Sequence, residues 1–288
     1  MPEGDTVHRQ CRILHEALAG ATLTRCELRV PRLADTDLRG WRVREVVPRG
    51  KHLLLRLLPP ADGAGEPLTL HSHLMMDGIW FVDDKPLISS DTSRARRPAH
   101  TARVILEARH DDGRVARATG YEIKQVHLLR TAEEDSEVGH LGPDLLSPAW
   151  GPALREQAAA NLAAQADLPL GQVLLDQRVM AGVGNIYRSE LCFLQRISPF
   201  APVSALSDPG ALVDLAHRLL DLNKDRSVRV TTGGMMGRGG DLWVYGRAGQ
   251  PCRRCRGRVE RRMMAQPDVE GAQPRVVFVC PRCQGESR

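Results

Sequence analysis

Two Cys-x2-Cys pairs near the carboxyl end, Cys252/Cys255 and Cys280/Cys283, constrain this chain more than any other feature. Two close thiolate pairs presented by a β-hairpin supply four ligands at zinc distances. Four thiolates close the shell and leave no position for water, so one structural Zn2+ per chain is expected, with an iron centre as the minor alternative. The remaining cysteines, Cys11, Cys26 and Cys192, stand in apolar surroundings and read as small core residues. The opening Met1-Pro2-Glu3-Gly4-Asp5 lacks the basic and apolar regions of a secretion signal, which favours metal ligation over disulfides. No apolar run approaches the roughly 18 residues of a membrane span, so an intracellular protein without a membrane partner is expected.

The cysteine module is also where the charge sits. The chain carries 40 Lys and Arg against 35 Asp and Glu, a net +5. From Cys252 onward there are nine arginines and four acids, so the tail alone matches that surplus. A concentrated basic segment suits an anionic partner, although such a ribbon serves protein contacts as well as nucleic acid.

Ahead of the module the chain divides by pattern. Val7, Cys11, Leu14 and Leu18 fall on one helical face, with Asp5 or Thr6 as cap and Gly20 as the stop. From Thr22 to about Leu129 come short β-branched and aliphatic runs separated by turn residues: Thr22-Val30, Trp41-Val47, His52-Leu58, Leu68-His73, Gly78-Val82, Arg103-Ala108 and Arg114-Ala118. That pattern predicts an antiparallel sandwich with flanking helices. Ser89-Ala99 reads as a loop. From Pro152 the pattern turns helical, over Ala153-Ala166, Leu170-Arg178, Asn185-Leu194 and Asp208-Leu222. Gly233-Gly240, with five glycines in eight residues, is expected to be mobile. The predicted class is multidomain α+β, with residues 1–129 as the sandwich, 130–151 as a linker, 152–246 as a helical domain and 247–288 as the cysteine module.

Several positions can carry chemistry. Removal of Met1 would leave Pro2 with a free secondary amine, whose pKa near 8 keeps an appreciable fraction nucleophilic at neutral pH. Attack on a sugar aldehyde carbon would give an iminium ion, positively charged without a proton and therefore an electron sink. Glu3 beside it can shuttle protons. Gly182-Val183-Gly184-Asn185 permits a tight turn into a helix, where free amides can receive a phosphate; a plain helix-turn-helix corner fits equally well. Lys51, after Arg49-Gly50, reads as a hairpin-turn lysine, a position most often simply solvated.

Together these features resemble the bacterial formamidopyrimidine-DNA glycosylase and endonuclease VIII family. The resemblance runs through Pro2-Glu3-Gly4, Arg49-Gly50-Lys51, His73-Leu74-x-Met76-x-Gly78, His140-Leu141-Gly142-Pro143 and Asp176-Gln177. It continues through Gly182-Val183-Gly184-Asn185-Ile186-Tyr187, Ser189-Glu190, Trp243-Val244-Tyr245-Gly246-Arg247 and Cys280-Pro281-x-Cys283-Gln284. It implies a bifunctional base-excision repair glycosylase and AP lyase, with a helix-two-turn-helix domain and a β-hairpin zinc finger, binding damaged duplex DNA in a cleft with one nucleotide flipped. A monomer in the bacterial cytoplasm, at the nucleoid, is implied with it. Pro2 would attack C1′ and the Schiff base would undergo β,δ-elimination, with Glu3 as proton donor and acceptor. Lys51, His73, Asn185 and Arg275 would clamp phosphates, Lys51 serving catalysis as well. Met76 would fill the vacated stack, with a buried sheet methionine as the plainer reading, and Glu190 would be a supporting acid facing the amino terminus.

Guanine-directed members carry an Arg-x-Phe pair that inspects the opposite cytosine; the corresponding stretch here, Arg117-Ala118-Thr119-Gly120-Tyr121-Glu122-Ile123, lacks it. The endonuclease VIII branch and oxidised pyrimidines are therefore expected, with a guanine-lesion enzyme or a catalytically silent DNA-binding zinc protein as alternatives. Three features depart from the family pattern. Asp5-Thr6 stands where Pro-Glu is usual, the interval between the cysteine pairs is 24 residues and includes Pro267-Asp268-Val269-Glu270-Gly271, and the Gly233-Gly240 loop is unusually glycine-rich.

Overall fold

The computed structural model describes the chain apart from residues 1, 62, 64, 84, 87–96, 235–240, 266–272 and 286–288. Most of the expected 89–99 loop, most of the glycine-rich loop and the 267–271 insert lie outside the described residues. The rest forms two compact units, Met1–His140 and Leu141–Arg288.

In the first unit, helix α1 spans Gly4–Leu18 and buries Val7, Cys11, Leu14 and Leu18 completely, as their period requires. The cap differs from expectation. The helix starts at Gly4 with Glu3 as N-cap, and Asp5 lies inside the first turn, where its carboxylate meets the positive end of the dipole and accepts the Thr6 N–H at 2.7 Å. Strands β1 (Thr22–Leu28), β2 (Arg42–Arg49), β3 (His52–Leu58), β4 (Leu68–His73), β5 (Ile79–Val82), β6 (Lys85–Pro86), β7 (Ala102–Arg109), β8 (Val115–Tyr121) and β9 (Gln125–Arg130) form one antiparallel sheet. Its order is β6-β5-β8-β7-β1-β2-β3-β4-β9.

Between β1 and β2 a single registered pair, Thr22 with Arg42, makes a corner. Leu23, Val104 and Leu106 from one side of it share a core with Leu53, Leu55 and Leu70 from the other, and the apolar face of α1 joins that core. Edge strand β9 has no counterpart among the expected runs, because only Val126 of its six residues is buried and it shows no apolar stripe. Residues at the start of the expected linker belong to this unit, as the end of β9, a 3-10 turn and the one-turn helix α2, Asp135–Val138.

The second unit holds α3 (Pro152–Ala163), α4 (Leu170–Val173), α5 (Asn185–Leu194), α6 (Pro209–Asn223) and the hairpin of β10 (Glu260–Met264) with β11 (Arg275–Val279). The helix expected over 170–178 stops at Val173. Beyond it, Asp176 Oδ1 accepts the Arg178 N–H at 2.9 Å, a local turn that competes with helix. Leu162, Leu170, Tyr187, Leu191, Leu212 and Leu220 form the helical core. The hairpin belongs to the same compact unit: buried Arg188 donates to Val276 O at 2.6 Å, and the Phe278 N–H donates to Ser189 Oγ at 3.2 Å. No helix among the described residues is long and apolar enough to cross a membrane.

Candidate functional site

Each unit gathers part of the predicted set. In the first, Glu3 is completely buried at the head of α1, and Pro2 beside it is half-buried. Gly50 and Lys51 form a two-residue hairpin between β2 and β3, with the first position at φ +58, the left-handed value that a tight turn of this kind assigns to glycine. This places Lys51 at the turn tip. Its ammonium lies near enough to help depress His52 and His73: burial, with its neighbours, pushes His73 down to about 4. In His52 the value falls to about 3, through burial and then through His73, His71, His140 and Lys51.

His73 is therefore a neutral imidazole at pH 7. Its Nδ1 accepts the Met75 N–H at 3.1 Å, which assigns the ring proton to Nε2 and leaves an N–H donor rather than a cation. The backbone then turns through Met75, at φ +52, and closes with Gly78 N–H donating to Leu74 O at 2.9 Å. Met76 is 59% exposed on this turn, so it is not a buried sheet methionine. Met75, 40% exposed, was not singled out by sequence reasoning, since only the turn geometry lifts it out. The next turn on this edge, between β8 and β9, is filled by an inward-facing Ile123 and by Lys124, which pairs with Asp77 at 3.2 Å.

In the second unit, Gln177 explains the tight turn before α5. Its amide donates to Leu175 O and Val183 O at 2.8 and 3.0 Å and accepts the Gly182 N–H at 3.0 Å. Helix α5 then opens at Asn185 with Gly184 as N-cap and no side-chain capping bond. Asn185 is nine-tenths buried.

Glu190, fully buried on α5, receives four hydrogen bonds. The Trp243 N–H donates to one oxygen at 2.8 Å, the Val244 and Tyr245 N–H groups donate to the other at 2.9 Å each, and the Thr231 hydroxyl donates as well. Trp243 Nε1 donates back to Thr231 O at 3.1 Å. The carboxylate thus ties together the two ends of the segment that contains the glycine-rich loop.

The four cysteine sulfurs lie within 4.8 Å of one another, with Cys252 and Cys283 at 3.9 Å and Cys255 and Cys280 at 3.5 Å. A tetrahedral zinc thiolate centre requires about 3.8 Å between sulfurs. All four are free thiols, the Arg254 N–H points at Cys252 Sγ at 3.4 Å, and Gln284 bridges Cys280 N and Ile197 O. The donor set and its spacing fit a metal. Arg275 stands exposed at the start of β11, opposite Met264.

Comparison with known proteins places these features in context. Residues 1–126 match the formamidopyrimidine-DNA glycosylase N-terminal domain, and residues 141–225 match the formamidopyrimidine-DNA glycosylase H2TH domain. The chain is 50% identical to the probable endonuclease 8 2 of Streptomyces coelicolor over 99% of its own length and 94% of that protein. It is 45% identical to the DNA-(apurinic or apyrimidinic site) lyase Nei2 of Mycolicibacterium smegmatis, with both chains covered completely. Among solved structures, MutM (Fpg) from Thermus thermophilus superposes with a TM-score of 0.70 at 28% identity, both chains being fully covered. Lactococcus lactis Fpg, in complex with DNA containing an abasic site, shares the fold with a TM-score of 0.72 at 21% identity, over 98% of this chain and 99% of that one.

Proposed function

The chain belongs to the formamidopyrimidine-DNA glycosylase family and is a DNA glycosylase with AP lyase activity in base excision repair; we propose that it acts on oxidised pyrimidines through a Schiff base at Pro2. The observation that carries this reading is the pairing of Pro2 with a completely buried Glu3 at the head of α1. Once Met1 is removed, the Pro2 nitrogen attacks C1′ of the damaged nucleotide and the bond from C1′ to the base breaks, the base leaving with a proton. Glu3 protonates the ring oxygen, so the sugar opens to an iminium ion. Loss of a C2′ proton expels the 3′ phosphate, loss of the C4′ proton expels the 5′ phosphate, and water hydrolyses the iminium to release the sugar fragment as an aldehyde and free the Pro2 amine.

C1′ is reached only when the nucleotide leaves the stack, at a cost of a few kcal/mol. Met76, exposed on its turn, is suited to fill the gap, and phosphate contacts from Lys51, His73, Asn185 and Arg275 offset the cost. Lys51 supplies charge, whereas His73, neutral at pH 7, supplies an N–H donor. Pyrimidine specificity is supported by the stretch 117–123, which is the end of strand β8 and a turn: it lacks the Arg-x-Phe pair, its Ile123 packs inward, and its one aromatic, Tyr121, lies edge-on to Phe81 with ring centroids 5.2 Å apart. We assign the four cysteines to one structural Zn2+ that fixes the hairpin bearing Arg275. Glu190 acts structurally, as a buried anchor.

Borohydride trapping on duplexes carrying thymine glycol, 5-hydroxyuracil, 8-oxoguanine or a preformed abasic site tests this reading. The expected result is a covalent adduct, mapped to Pro2 by mass spectrometry, on the pyrimidine lesions and the abasic site. A mass-verified protein that retains Met1 and still cleaves normally would refute the Pro2 mechanism. Trapping confined to 8-oxoguanine would refute the pyrimidine assignment.

A further inference from the structure

Strand β4 carries His71 in register with His127 of β9, and α2 lays Glu137 beside both. His71 Nδ1 lies 3.5 Å from Glu137 Oε2, and His127 Nδ1 lies 2.6 Å from Oε1. One donor atom from each of the three residues falls within 4.8 Å of the other two. The His71 ring is 1% exposed, and its Nδ1 has no hydrogen-bond partner among the described residues. A buried polar atom left unsatisfied is destabilising, so a fold that keeps one calls for an explanation. The other ring nitrogen, Nε2, is 2.8 Å from His52 Nδ1. That contact fixes the ring and turns Nδ1 toward Glu137, as a second partner does for a metal-bound histidine.

We propose that His71, His127 and Glu137 form a second metal site, separate from the four cysteines, for a divalent transition ion of the zinc class. Two imidazoles and one carboxylate suit zinc over calcium or magnesium, which take oxygen ligands. Three protein ligands leave one tetrahedral position for water, in contrast to the closed shell of the cysteine centre. Donor atoms around such an ion stand about 3.3 Å apart. The His71 to Glu137 separation already meets that spacing. The shorter His127 to Glu137 contact is a hydrogen bond whose proton the ion displaces to solvent, and the half-exposed His127 side chain is the one free to adjust to the ion.

The ion has a route in, because the side chains of His127 and Glu137 are 50% and 27% exposed while His71 closes the inner end. It also has structural work to do. A single helical turn is unstable in isolation, and α2 is held at its start by Glu134, which pairs with Arg56 at 2.7 Å and accepts from Thr69 at 2.6 Å. The metal would pin the other end of that turn to the sheet, and through His71 and His52 it would stiffen the edge that bears Lys51 and His73.

The test uses the full-length protein, dialysed against micromolar Zn2+ and counted by mass spectrometric metal analysis. Wild type is expected to retain about two equivalents, and Glu137→Gln and His127→Ala about one. Both positions are solvent-accessible, so the fold tolerates the changes, and circular dichroism checks it. Cobalt substitution identifies which ion is lost. The equivalent kept by the variants gives intense thiolate-to-cobalt charge transfer in the near ultraviolet, while the lost one adds only weak visible bands. A wild-type protein that binds one equivalent, or folded variants that bind as many ions as wild type, would overturn the proposal.

Discussion

Replacing Glu190 by Gln isolates what its buried carboxylate does. Four donors converge on it, namely three consecutive backbone N–H groups from 243–245 and the Thr231 hydroxyl. A glutamine in its better orientation keeps one oxygen for the Val244 and Tyr245 amides and turns its NH2 toward Trp243 and Thr231. The Thr231 hydroxyl can rotate and accept. The Trp243 N–H cannot, so a donor faces a donor. The loss comprises one charge-assisted bond, about 1.5–3 kcal/mol, and one buried unpaired N–H, about 1–3 kcal/mol. Relief of the desolvation of a buried charge offsets part of it, which leaves about 3–4 kcal/mol. Against a total stability of about 5–15 kcal/mol this is a large fraction. Urea titration followed by tryptophan emission reads it directly, since Trp243 sits at the site and packs on Phe193. A Glu190→Gln protein within about 1 kcal/mol of wild type in stability, yet unable to cleave, would refute the structural role and make Glu190 a participant in the chemistry.

Gly142→Ala should cost about 1–3 kcal/mol or more, because the added Cβ would lie 2.2 Å from the carbonyl oxygen of Arg178, a backbone atom that cannot step aside; an unchanged urea midpoint would show that the 140–143 segment can shift. Acid should destabilise the first unit. His52 and His73 titrate near 3 and 4 when folded and near 6.5 when unfolded, so their stabilising effect is complete above about pH 6.5 and is lost as pH falls toward 4. Between pH 7 and 5 the two together should lose about 2–4 kcal/mol, and a flat stability profile across that interval would contradict their burial as neutral rings. Chelation of the cysteine-bound metal should loosen the whole second unit, because β11 shares buried contacts with α5, while residues 1–140 stay folded; Trp41 and Trp80 in the first unit and Trp150 and Trp243 in the second distinguish this from a single global melt.

Much of this architecture was legible because it depends on local period. The α1 face, strands β3 and β4, helix α5 and the paired cysteines each follow from residue spacing within one element. The errors arise where local pattern is weak or tertiary bonds decide. Strand β9 is an edge whose polar residues hide its alternation, and the helix after Leu170 ends early because the Asp176 side chain satisfies backbone that a helix would have used. The resemblance implies that Glu190 is a supporting acid, but its partners lie in a segment reached only after α6, so no spacing rule could supply them.

The histidines make the same point more sharply. His52, His71 and His127 carry no motif and stand on three different strands. They meet because β3 pairs with β4 at His52 and His73, and β4 pairs with β9 at His71 and His127. A shift of one residue in either register would send the side chains to opposite faces and dissolve the cluster. The apolar alternation of β3 and β4 against the core is what forbids that shift, so residues selected for packing also determine which polar side chains come together on the outer face. The chemistry of that face is a consequence of core register, and for that reason it becomes readable only once the pairing of the strands is known.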